Sequence, residues 1–141
     1  MRRGTVATLL ALGMVAVMVV GCATMGGNKD QKSIDKTLAG WKAAVEKQDI
    51  DGMIAAYSED FKSERGGGKA EMKGFLTNAK DQGYLDGAKV DMAKAEIKIE
   101  KNTATVGPVD LSGNAGSITV GLAMKKDPDK VWRIVGSEAA R

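Results

Sequence analysis

Trp41-Lys42-Ala43-Ala44-Val45-Glu46-Lys47-Gln48-Asp49-Ile50-Asp51-Gly52-Met53 joins the end of one amphipathic pattern to the start of another. Upstream, Ile34, Leu38, Trp41 and Val45 step by four, three and four residues, which draws one apolar stripe along a helix. Lys36, Lys42, Glu46 and Lys47 fall on its other faces, and Ser33 is the expected N-cap. Downstream, Asp49 or Asp51 can cap a second helix that carries Ile50, Met53, Ile54, Tyr57 and Phe61 on one face. Residues 63–68 break the pattern. A third helix starts near Lys69, gathers Met72, Phe75, Leu76 and Ala79, and stops at Gly83, a residue suited to the C′ position. Gly74 inside it costs about 1 kcal/mol relative to alanine.

From Val90 onward the period changes from helical to alternating. Ile97 and Ile99 alternate with Glu96, Lys98 and Glu100, and Lys101-Asn102 can turn the chain. Residues 103–109 make the next strand, where Pro108 predicts an edge position or a bulge. Ser112-Gly113-Asn114 signals a turn. Ile118, Val120, Leu122 and Met124 then alternate along a long strand, and residues 131–135 form the last one. Helices first and a meander afterwards predict an α+β domain with the helices on one sheet face.

These stretches carry a resemblance. The domain resembles the nuclear transport factor 2-like superfamily, which includes polyketide-cyclase-like and ketosteroid-isomerase-like proteins. Residues 41–53 look like the family's first helix and its turn into the second. Tyr57-Ser58-Glu59-Asp60-Phe61 resembles the end of that second helix. Ala104-Thr105-Val106 suits an internal strand, and Lys130-Val131-Trp132-Arg133-Ile134-Val135-Gly136 resembles the closing strand. The resemblance covers roughly residues 33–138 and implies three N-terminal helices on a strongly curved, mainly antiparallel, cone-like sheet. It also implies an apolar pocket between them. It transfers no activity, because this superfold serves enzymes, ligand binders and interaction modules alike.

The N-terminal region reads separately, as an address. Arg2 and Arg3 precede an apolar run over residues 6–20, which is shorter than the ~20 residues needed to span a bilayer. The run ends at Val19-Val20-Gly21-Cys22, the pattern of a bacterial lipobox. Cleavage is expected between Gly21 and Cys22, with Cys22 acylated so that its chains enter the lipid bilayer. The expected organisation is a signal peptide over 1–21, the acylated cysteine and a flexible tether over 22–32, and the folded domain over 33–141. Ala23 is not the Asp that resembles an inner-membrane retention signal, so the expected location is the outer membrane, facing the periplasm.

Composition narrows the chemistry. Two of the 21 basic residues, Arg2 and Arg3, belong to the address, so the rest exceed the 18 acidic residues by one. They form no basic stripe with stacked aromatics, and nucleic acid is not an expected partner. Cys22 is the sole cysteine, which leaves no thiol for a disulfide once it is acylated. The chain has no histidine, which removes Ser-His and Cys-His nucleophile pairs and most catalytic zinc sites. No metal and no cofactor is expected.

A cavity enzyme of isomerase, dehydratase or cyclase type would need a carboxylate base beside a Tyr or a protonated Asp. Tyr57, Asp60, Tyr84, Asp91 and Asp110 are the available residues, and none falls on a catalytic position of the family. The candidate pocket residues are Trp41, Tyr57, Phe61, Phe75 and Trp132, whose rings suit a small apolar ligand. The same rings suit core packing. Glu64-Arg65-Gly66-Gly67-Gly68-Lys69 lacks the spacing of a phosphate loop, and reads as a flexible lead into the third helix that could lip a pocket. The expected function is binding of a small apolar ligand or an envelope protein without catalysis. The cavity enzyme and a module that dimerises through the outer sheet face are the alternatives.

Overall fold

Helix α1 runs from Asn28 to Lys47 in the computed structural model, which describes residues 28–139. The expected signal peptide, Cys22 and the expected tether up to residue 27 lie outside the described residues. Residues 28–32, expected as tether, are helical, and residues 33–141 form one compact unit. Ser33 is therefore not an N-cap. Its hydroxyl accepts instead from the backbone N–H of Trp132 at 3.3 Å, and Thr37 Oγ1 donates to the Trp132 carbonyl at 2.6 Å. A hydroxyl that sequence assigns to a local cap is spent on a contact 99 residues away.

Helix α2, Ile50–Ala55, is capped by Asp49, whose Oδ1 accepts from the Gly52 N–H at 3.1 Å. A Cβ at Gly52 would stand 2.6 Å from Asp49 Oδ2 and 3.0 Å from the Ala44 Cβ. Gly52→Ala should therefore destabilise by about 1 kcal/mol, the usual value of a lost cap, although alanine is the better helix former. Urea unfolding that shows a gain instead would refute this placement of the cap.

The second helix ends earlier than its apolar period suggests. Tyr57 makes a parallel bridge to Ile134, Ser58 N–H donates to the Ile134 carbonyl at 2.8 Å, and Lys62 N–H to that of Val135 at 3.0 Å. Tyr57 and Phe61 thus lie in a segment beside the last strand, not on α2. Helix α3, Lys69–Asp81, packs against α2; Glu71 reaches back to accept from the Gly68 N–H at 3.0 Å.

The sheet holds β1 (Lys89–Asp91), β2 (Glu96–Glu100), β3 (Thr103–Gly113), β4 (Gly116–Lys126) and β5 (Trp132–Ala139). All pairings between these strands are antiparallel, with β1 and β2 both on one edge of β3, and β4 and β5 following on its other side. Two register shifts interrupt the ladders. One lies between Val106 and Val109, where Gly107-Pro108 is cis, so the proline does mark a bulge. The other lies between Ala123 and Met124, opposite Val135.

One face of the sheet builds the core. Ala104, Val106, Val109, Val120, Leu122, Met124, Trp132 and Ile134 join Ile34, Leu38 and Trp41 of α1 in one buried cluster. At about 25 cal/mol per Å² of apolar area removed from water, this cluster is the main stabilising term in a chain without an available disulfide. Glu96, Lys98, Thr105, Gly121 and Ala123 alternate with it and point away from the helices.

Candidate functional site

The structure separates the five expected pocket residues. Trp41, Tyr57, Phe61 and Trp132 are buried in the core cluster. Tyr57 and Phe61 pack with ring centroids 4.6 Å apart and planes tilted by 42°, and Trp41 Nε1 donates to the Tyr57 hydroxyl at 3.3 Å. Burial pushes the Tyr57 phenol above its usual pKa, with the Trp41 hydrogen bond partly offsetting it. These four are a packed interior, where large aromatic side chains bury the most apolar area.

Phe75 behaves differently. It is 60% exposed and lines a cleft of 430 Å³ between α3 and the inner face of the sheet. Met72 joins it from α3. Ile118 and Val120 come from β4, and Ser137 and Ala139 from β5. Ile118 is 58% exposed, so two large apolar side chains meet solvent in one depression. Exposed apolar surface costs free energy in water, and where it gathers in a concavity it marks a binding place.

Sequence reasoning missed Ile118, Ser137 and Ala139 for identifiable reasons. Ile118 is on the inward register of β4, as its alternation implies, but it lies beyond the part of the sheet that the helices cover. Ser137 and Ala139 face inward only because the irregularity at Val135 shifts the alternation: Met124 pairs Ile134, whereas Leu122 pairs Ser137 and Val120 pairs Ala139. Without the shift, Glu138 would point into the cleft. The nearest available signal was Gly136, a residue that commonly marks a strand irregularity.

The loop before α3 forms the rim. Ser63 holds it closed: Ser63 N–H donates to the Gly67 carbonyl at 2.8 Å, Gly66 N–H to the Ser63 carbonyl at 2.8 Å, and Gly67 N–H to the Ser63 hydroxyl at 3.2 Å. Gly66 has φ +86°, a conformation that glycine adopts without a Cβ penalty. The Glu64 carboxylate accepts from the Ala139 N–H at 3.2 Å, tying the rim to β5. Arg65 lines the rim and has no hydrogen-bond or ion-pair partner among the described residues.

The residues weighed for catalysis do not assemble. Asp60 pairs with Lys125, Asp91 accepts from the Ala93 N–H at 2.9 Å, and Asp110 accepts from Thr119 Oγ1 at 2.6 Å. Tyr84 is 54% exposed. None of these, nor Tyr57, lines the cleft. Among the described residues, no group of three metal-ligating side chains comes together.

A second depression, of 490 Å³, lies on the sheet face turned from the helices. Lys62, Glu64, Glu96, Lys98 and Glu138 surround its floor of Gly107, Gly121 and Gly136. Its charged wall suits water and polar groups better than an apolar ligand.

No known family model matches this chain, and no curated protein matches it in sequence. Solved structures do. A protein of unknown function with a cystatin-like fold from Nostoc punctiforme superposes with a TM-score of 0.64 at 18% identity, over 79% of this chain and 90% of that one. A nuclear transport factor 2-like protein of unknown function from Shewanella oneidensis gives 0.61 at 23% identity, over 79% and 99%. A third, from Pseudomonas putida and also nuclear transport factor 2-like, gives 0.64 at 13% identity, over 79% and 86%. The chain has the nuclear transport factor 2-like α+β fold; at these identities the likeness concerns the fold alone.

Proposed function

We propose that this is a membrane-anchored envelope lipoprotein whose domain binds a small apolar ligand in the cleft between α3 and the sheet, without catalysing a reaction. The observation that carries the reading is the convergence of exposed Phe75 and Ile118 on one concave surface. The lipobox Val19-Val20-Gly21-Cys22 supports the anchor, and Ala23 after it supports the outer membrane, facing the periplasm.

An apolar ligand would cover these two side chains and the half-buried Met72 beneath them. Each fully covered large side chain contributes about 1.5–3 kcal/mol, from which the cost of immobilising the ligand is subtracted. Arg65, a rim cation without a partner among the described residues, is placed to meet a polar or anionic head group.

The test is titration with a neutral naphthylamine dye, which fluoresces in apolar surroundings. Phe75→Ser combined with Ile118→Ser should weaken dye binding at least tenfold and leave the melting temperature within a few degrees. Unchanged dye affinity would remove the cleft from consideration. An envelope protein inserting an apolar side chain is the other occupant the cleft could take. It would show as a crosslinked partner lost in the same double variant, with no small-molecule adduct in native mass spectra.

A further inference from the structure

We infer that the cleft opens away from the bilayer that carries the protein, so that its occupant arrives from the aqueous compartment and not from the anchoring leaflet. The inference rests on the anchored, ligand-binding reading above. It follows from where the domain begins and where the cleft lies along the sheet.

Ser33 and Thr37 both bond to the backbone of Trp132, which starts β5. The first residues of the domain therefore lie at that end of the sheet. Lys126, the last residue of β4, pairs with Trp132 there, and its N–H donates to the Asn102 carbonyl at 2.9 Å. The β2–β3 and β4–β5 turns thus share this end.

The cleft is built at the other end, from Ile118 near the start of β4 and from Ser137 and Ala139 at the finish of β5. From Lys126 back to Ile118 a strand extends about 26 Å. Helix α1 runs the same way. Near its C-terminus, Glu46 Oε2 accepts from the Val90 N–H at 3.2 Å, and Val90 pairs Leu111, which in turn pairs Ile118. The helix thus leads from the Trp132 end toward the cleft end.

The connection to the anchor is short. Only residues 23–27 separate Cys22 from the start of helix α1 in the sequence.

The test uses the full acylated chain in vesicles of phosphatidylethanolamine and phosphatidylglycerol that contain a nitroxide-headgroup lipid. Acylation consumes Cys22, so one introduced cysteine gives one labelling site. Asn102→Cys reports the Trp132 end and Ser117→Cys the cleft end; both positions are exposed. A maleimide fluorophore at 102 should be quenched at least threefold more strongly than one at 117. Equal quenching at the two positions, including none at either, or stronger quenching at 117, overturns the inference. So does a chain that fails to float with the vesicles, since the anchor itself is then lost. The dye titration reads the cleft independently, so a wrong orientation and an unoccupied cleft give different results.

Discussion

Trp132→Ala is expected to destabilise the domain by about 4 kcal/mol, within the range of 3–5 kcal/mol for removing a large buried aromatic ring. Trp132 is 0% exposed and heads the largest fully buried side chains. Its backbone N–H and carbonyl hold Ser33 and Thr37, and those bonds do not need the indole. The loss is therefore one of packing between α1 and the start of β5, with a cavity left behind. Folded domains retain only about 5–15 kcal/mol in total, so about a quarter or more of the stability would go. For a domain of this size the melting temperature should fall by about 15 °C, followed by circular dichroism on residues 23–141. The control is Val131→Ala one residue earlier. Val131 is 38% exposed, and its truncation should change stability by no more than about 0.5 kcal/mol. Equal effects at 131 and 132 would mean that the inward register of β5 is wrong.

That register was legible in part. The stripe Ile34, Leu38, Trp41 names the inner face of α1, and all three are buried. The alternation from Ile118 to Met124 likewise names the inner face of β4. Periodicity works here because a solvent–core boundary runs along each element. It fails where a distant contact outbids the local pattern: Tyr57 and Phe61 continue the apolar period of α2, yet hydrogen bonds to β5 hold that segment out of the helix.

The cleft was hard to read for a related reason. Hydrophobic spacing tells which way a side chain points but not whether anything covers it. Phe75 and Trp132 look equally core-like in sequence, and only the arrangement of α3 over the far end of the sheet leaves one exposed. The shift at Val135 adds a second obstacle, because a one-residue irregularity exchanges the faces of everything after it.

The polar counterpart of the core gives the second large effect. Ser58 is 1% exposed, the only buried polar residue among those described. Its hydroxyl donates to Asp127 Oδ1 at 3.0 Å and accepts from the Asp60 N–H at 3.2 Å. Asp127 Oδ2 accepts from Arg133 at 2.9 Å, and Arg133 also binds both oxygens of Asp129, at 3.0 and 2.8 Å. The β4–β5 turn is thus locked to the segment that borders β5. Asp127→Ala strands the Ser58 hydroxyl and half of the Arg133 fork. A buried donor without a partner costs about 1–3 kcal/mol, and Arg133 keeps Asp129 and some water, so the expected loss is about 2 kcal/mol.

Asp127→Asn retains an acceptor for Ser58 and should cost about half as much. If Asn and Ala are equally damaging, charge and not the Ser58 hydrogen bond holds the turn. Acid should weaken the same lock from its exposed side. Hydrogen bonding to Arg133, and then the Val131 N–H, hold the Asp129 carboxyl below its usual pKa. The folded value is thus the lower one, so this stabilisation is complete above the unfolded aspartate pKa of about 4 and fades as pH falls through the folded value. Urea midpoints should fall between pH 5 and pH 3, and fall less in Arg133→Met, where the leading cause of the shift is gone. An acid dependence identical in Arg133→Met and wild type would assign it to other carboxylates.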